Sequence, residues 1–165
     1  TRINAELANN IGNLVQRSLS MIYKNNNGEI VDIKGFELGQ ELLKNGYILG
    51  EKITKEMQNF SYDKAIGEII SFASMCNQFI NDNAPWLLKK DGKIAEMNLV
   101  LSTIAESLRL IAISFQPFLP NLAQSILKLL LIDNNFAKIE NINRENVLVA
   151  GHKILEPKII FPRLN

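Results

Sequence analysis

Apolar residues Leu7, Ile11, Leu14, Val15, Leu19 and Ile22 recur at helical spacing between Ala5 and Tyr23, and the pattern predicts an amphipathic helix. At about 100° per residue, Glu6, Asn10, Asn13 and Arg17 fall together on its polar face, with Asn13 and Arg17 one turn apart. The run Lys24-Asn25-Asn26-Asn27-Gly28 should end this helix, because Asn and Gly tolerate the left-handed backbone that closes one. Between Phe36 and Asn59 two shorter helical patterns follow, and Asn45-Gly46 reads as the helix end between them. Ser61 then stands as a hydroxyl N-cap before Tyr62, Ala65, Ile66, Ile69, Ala73, Cys76 and Ile80. That helix must stop near Asn81-Asp82-Asn83, since Pro85 lacks an amide donor and disfavours helical geometry at Ala84. Trp86 is therefore expected on a kinked, irregular connection.

After Asp91-Gly92 comes the densest pattern: Met97, Val100, Leu101, Ile104, Ala105, Leu108, Ile111, Ala112 and Phe115. Leu99, Leu110 and Ile113 widen this stripe, so the helix should touch neighbours on more than one side, as a central bundle helix does. Pro117 and Pro120 bracket a corner at Phe118-Leu119, and a last helix is expected from about 121 to 131. Beyond it, Val147-Leu148-Val149-Ala150-Gly151 and Ile159-Ile160-Phe161-Pro162-Arg163 have no helical period and read as an extended strip. The expected architecture is all-α, a helical bundle of about five helices over 5–131 with an irregular C-terminal tail over 132–165. The whole of 1–165 is taken as one domain.

Composition narrows what such a bundle can be. With 165 residues, 47% hydrophobic and 21% charged, the chain can bury a core and does not resemble a disordered tail. Its longest uninterrupted apolar runs are short, as at Leu129 to Ile132 and Leu110 to Ile113, so no membrane-spanning segment is expected. The lone Cys76 excludes an internal disulfide and a multi-cysteine zinc site; a reducing, cytoplasmic setting and no metal are the simplest expectation. The chain opens at Thr1 with no leader-like stretch and reads as a fragment. A net charge of +1 argues against a protein that coats nucleic acid through a broad field, so any such partner must be gripped locally.

The search for chemistry leaves few candidates. The single histidine, His152, sits in the tail and supports no catalytic triad, and the nine glycines form no phosphate loop, so no catalytic residue is assigned. Glu37, Glu41, Glu51 and Glu56 read as solvated charge on exposed helix faces. Asn13 and Arg17 are different, because an amide and a five-donor guanidinium fork presented from one helical turn can read the edge of a base. Trp86, the sole tryptophan, reads by residue type first as a core plug, and its place behind Pro85 leaves open a surface on which an unpaired base stacks. Lys89, Lys90 and Lys93 form a compact cationic patch suited to phosphates.

Several stretches in order, from Glu6-Leu7-Ala8-Asn9-Asn10-Ile11-Gly12-Asn13-Leu14-Val15-Gln16-Arg17 through Tyr62-Asp63-Lys64-Ala65, Ala84-Pro85-Trp86 and Pro117-Phe118-Leu119-Pro120 to Phe161-Pro162-Arg163, resemble bacterial methionyl-tRNA synthetases. The resemblance covers nearly the whole chain and rests on the conjunction. It implies a helical anticodon-binding domain that recognises the CAU anticodon of methionine tRNAs. Asn13, Arg17, Pro85 and Trp86 match the family's residues for the first anticodon base, cytosine, with Asn9 and Asn10 as possible support. The family's two nucleotide-binding signatures and its zinc cysteines are missing. The resemblance therefore implies that ATP, with Mg, and catalysis belong to a separate catalytic domain of the full-length enzyme, while the closing Phe161-Pro162-Arg163, similar to the point where the minimal synthetase ends, implies a monomer. Two alternatives stand beside it: the anticodon domain of another class I synthetase, for cysteine, leucine, isoleucine or valine, and a helical protein-interaction module.

Overall fold

A computed structural model describes residues 2–158, with side chains from residue 5 onward. Phe161-Pro162-Arg163 and the preceding Ile159-Ile160 lie outside the described residues. The helices are α1 (Arg2–Asn26), α2 (Glu37–Tyr47), α3 (Leu49–Gln58), α4 (Tyr62–Asn83), α5 (Pro85–Lys90), α6 (Ile94–Phe115) and α7 (Pro120–Leu129). The all-α expectation holds: among the described residues there is no strand, only an isolated antiparallel bridge between Glu29 and Lys153.

The apolar stripe of α1 is buried from Ile11 to Ile22, with Leu7 partly buried, and the helix ends as its Asn-Gly run predicts, with positive φ at Asn27 (54°) and Gly28 (72°). Helix α6 is the axis of the bundle and packs against every other α-helix. Its residues from Val100 to Phe115 are all buried, which explains why its stripe is too wide for a one-sided helix. The short-run criterion also missed something here: by length and composition α6 could cross a membrane, yet 89% of its apolar window is buried inside the fold. Those apolar residues are covered by neighbouring helices.

Two charges lie inside that apolar helix. Arg109 donates from Nε to Glu106 Oε1 at 2.6 Å and from Nη2 to Oε2 at 2.9 Å, with both side chains essentially inaccessible. The Tyr47 hydroxyl donates to Glu106 Oε2 at 2.7 Å, and the Leu148 amide donates to Oε1 at 3.2 Å. The other Arg109 donors reach the carbonyls of Asn141 (2.8 Å) and Asn143 (3.1 Å). A buried pair brings little net stability against two apolar residues, but here its remaining donors and acceptors fix where the tail runs.

Three expectations are corrected. Asn45-Gly46 does not end a helix, because α2 runs on to Tyr47; Gly46 is required for packing, since a Cβ there would lie 2.6 Å from Leu110 Cδ1 and Phe72 Cζ. Ser61 holds the N-cap position of α4, but its hydroxyl bonds to Asn59 O, not to the helix amides. The tail is not extended throughout: three 3-10 turns, Asn134–Phe136, Ile139–Asn141 and Arg144–Asn146, precede the extended part. That part then pairs with the chain after α1, through Ile30 N to His152 O (2.9 Å), Gly151 N to Ile30 O (2.8 Å) and Ile154 N to Gly28 O (2.9 Å). His152 Nε2 and the Leu155 amide donate to Leu130 O (2.6 Å) and Leu129 O (2.9 Å), tying it to the end of α7.

Candidate nucleic-acid interface

The polar face of α1 is exposed at Asn10, Asn13 and Arg17, while Asn9 is half-buried. The arrangement opposite it is built by a proline. Helix α4 stops at Asn83; Ala84 takes a left-handed conformation (φ 37°) while its amide still bonds to Ile80 O at 2.9 Å. Pro85 then starts α5 at the first helical position, where a missing amide costs nothing. Trp86 therefore stands on a short helix, not on the irregular connection expected, and its orientation is set by the rigid Ala84-Pro85 corner.

That corner aims the indole at α1. The guanidinium carbon of Arg17 lies 5.0 Å from the centroid of the Trp86 ring, a cation–π contact between residues far apart in the chain. Trp86 is 40% exposed, which excludes the core plug, whereas Pro85 beneath it is buried. An unpaired base could stack on this indole, either beside the guanidinium on the far ring face or in the place the guanidinium now holds. Asn13, one turn before Arg17, would face the edge of such a base.

The lysines sit just beyond. Lys89 and Lys90 are exposed in the last turn of α5, and Lys93 is exposed at the N-cap of α6. A tight turn joins them, with Gly92 at φ 76°, Gly92 N bonded to Lys89 O at 3.1 Å and Lys93 N to Leu88 O at 2.8 Å. All three are carried on the α5–α6 corner that carries Trp86. Sequence reasoning passed over Gln16, whose side chain bonds to the tail at Pro157. A partner 141 residues away leaves no local signal.

Elsewhere the ionisable groups are structural. Burial pushes the Cys76 thiol up to about 12, so it is not a nucleophile. Burial, and then the Glu106 carboxylate, raise Tyr47 well above the ordinary phenol range. Among the described residues no group of three or more His, Cys, Asp or Glu could hold a metal ion.

An all-helical domain that presents an amide, a guanidinium and an indole together is, as a class, a module suited to holding unpaired bases. Comparison with known proteins gives the family. Residues 37–165 match the family model of the anticodon binding domain of methionyl tRNA ligase, and the chain belongs to that family. The methionine–tRNA ligase of Rickettsia felis is 40% identical over 170 residues, covering 99% of this chain and 32% of the relative. That of Rickettsia prowazekii is 38% identical, covering 100% of this chain and 33% of the relative. The apo crystal structure of Mycobacterium tuberculosis methionyl-tRNA synthetase superimposes with a TM-score of 0.90 at 30% identity, covering 100% of this chain and 34% of that one. The same synthetase has been solved with methionyl-adenylate bound, and there the TM-score is 0.89. The chain thus spans about a third of the length of these relatives.

Proposed function

We propose that this domain selects methionine tRNAs for a methionine–tRNA ligase by reading the CAU anticodon at the Arg17–Trp86 surface. The observation that carries the reading is the 5.0 Å approach of the Arg17 guanidinium to a half-exposed indole. Cytosine, the first base, offers one amino donor and two acceptors on its pairing edge. The Arg17 fork, turned from the indole toward the base's edge, donates to the acceptors, the Asn13 carbonyl accepts from the amino group, and Trp86 stacks the ring. Uracil presents an N–H where cytosine has an acceptor, so a guanidinium donor would face a donor. An unmatched polar group of that kind costs about 1–3 kcal/mol. Asn9 and Asn10 support the polar face, while Lys89, Lys90 and Lys93 hold backbone phosphates and contribute affinity without selectivity.

The ligase reaction, with its ATP and Mg, belongs to a catalytic domain in the remainder of the full-length protein, and no residue of this chain is assigned to it. In this reading the complete protein works in the cytoplasm, as aminoacyl-tRNA synthetases generally do. The test is a titration of the chain with a CAU anticodon stem-loop and with a UAU version. The CAU form should bind about 5- to 150-fold more tightly. Arg17→Ala should shrink that ratio more than it reduces overall affinity. An unchanged ratio in Arg17→Ala would remove Arg17 from base reading, and equal binding of the two RNAs would end the proposal.

A further inference from the structure

The polar face of α1 has two edges. With Asn13 at its middle, Arg17 lies roughly 40° to one side and Gln16 roughly 60° to the other, at about 100° per residue. The Arg17 edge is bounded by Trp86. On the opposite edge, Gln16 Nε2 donates to the carbonyl of Pro157 at 2.8 Å, with Ser20 Oγ at 3.4 Å. Pro157 is buried and Lys158, which follows it, is exposed. The face that carries Asn9, Asn13 and Ser20 therefore lies between two contacts, one to Trp86 of α5 and one to the chain's tail.

The tail comes to that place along a fixed track. Arg109 holds it at Asn141 and Asn143, Glu106 at Leu148, the stretch after α1 at Gly151 and Ile154, and the end of α7 at Leu155. Among the described residues, the bond from Gln16 extends this hold past Leu155 to the edge of the groove. We propose that residues Pro157–Lys158 form the second wall of the base-binding groove, and that Gln16 is the positioning residue that sets it. This rests on the base-reading function proposed above. The wall confines a base stacked on Trp86 from the side, narrows water's access to its hydrogen bonds, and brings the Lys158 ammonium to the rim, where a phosphate can meet it. Gln16 acts through the tail and does not itself touch the base.

Gln16→Met keeps the side chain's length and removes its donor without adding charge. In the full 165-residue chain, the Leu155 amide should exchange hydrogen faster in this variant, while the amides in the middle of α1 stay as protected as before. Affinity for the CAU stem-loop should fall about 2- to 10-fold, the yield of one ordinary hydrogen bond. In a chain ending at Glu156, with circular dichroism used to check folding, the same substitution should have no effect, because the accepting carbonyl has gone. Unchanged exchange in the tail overturns the positioning role, with or without RNA. A loosened tail with full RNA affinity overturns the wall, as does an equal loss of affinity in the shortened chain, which would place Gln16 on the RNA itself. Failure of the unaltered chain to distinguish CAU from UAU is read out separately and defeats the base-reading function, and this inference with it.

Discussion

Replacing Trp86 by alanine separates a binding surface from a piece of core. Removing a buried tryptophan from a core typically destabilises by about 3–5 kcal/mol. Trp86 is 40% exposed, and one face of its ring meets the Arg17 guanidinium at 5.0 Å, a contact worth about 0.5–1 kcal/mol at an exposed site. The loss of folding stability should therefore stay well below the core figure, near the cation–π contribution plus some partial burial. Binding should suffer differently, since stacking of a base on an aromatic ring contributes about 1–3 kcal/mol. If the base takes the ring face that the guanidinium leaves open, the cation–π contact persists in the complex and cancels, and the full stacking contribution is lost, about 5- to 150-fold in affinity. If the base displaces the guanidinium instead, the measured loss is smaller by about 0.5–1 kcal/mol. Trp86→Phe keeps a ring and should recover most of the affinity in either case. Anisotropy of a dye-labelled CAU stem-loop measures binding, and urea unfolding followed by helical circular dichroism measures stability. A stability loss of about 3 kcal/mol or more with unaltered RNA affinity would show that the indole serves the core alone.

The remaining predictions concern the interior. Arg109→Met leaves the inaccessible Glu106 carboxylate without its counter-charge and frees two tail carbonyls, so urea unfolding should show a loss of about 3–5 kcal/mol; less than about 1 kcal/mol would mean that the pair does not hold the tail. Alkaline stability should depend on Cys76. Its thiol is raised by burial from 9.0 to about 12, so the folded state keeps a proton that the unfolded chain gives up. Its contribution is complete below pH 9 and is lost as the pH climbs through the folded value, and Tyr47, also raised, acts in the same direction from pH 10 upward. Cys76→Ala should flatten the decline of stability between pH 9 and 12, and an unchanged slope would contradict the burial of this thiol.

Much of this protein follows from local periodicity. The stripe of α1, the breadth of the α6 stripe and the stop before Pro85 are properties of neighbours three and four residues apart, and a linear pattern records those directly. The chemical suitability of Asn13, Arg17 and Trp86 for a base is equally a matter of side-chain type. Where local reading failed, a distant partner decided the outcome. Gly46 looked like a helix end because glycine so often is one, but it lies within α2, where Phe72 and Leu110 leave no room for a side chain. Glu106 and Arg109 drew no attention within the most apolar helix, because their meaning depends on Tyr47 and on tail residues more than thirty positions further along. Local pattern alone carried the long helices, their apolar faces and the side chains chemically able to read a base, but not α5 or the turns of the tail. That the guanidinium meets the indole, and that the tail reaches the far edge of the same face, came from long-range packing. Both depend on contacts between segments far apart in the chain, which packing about α6 and the buried ion pair bring together and which no local spacing encodes.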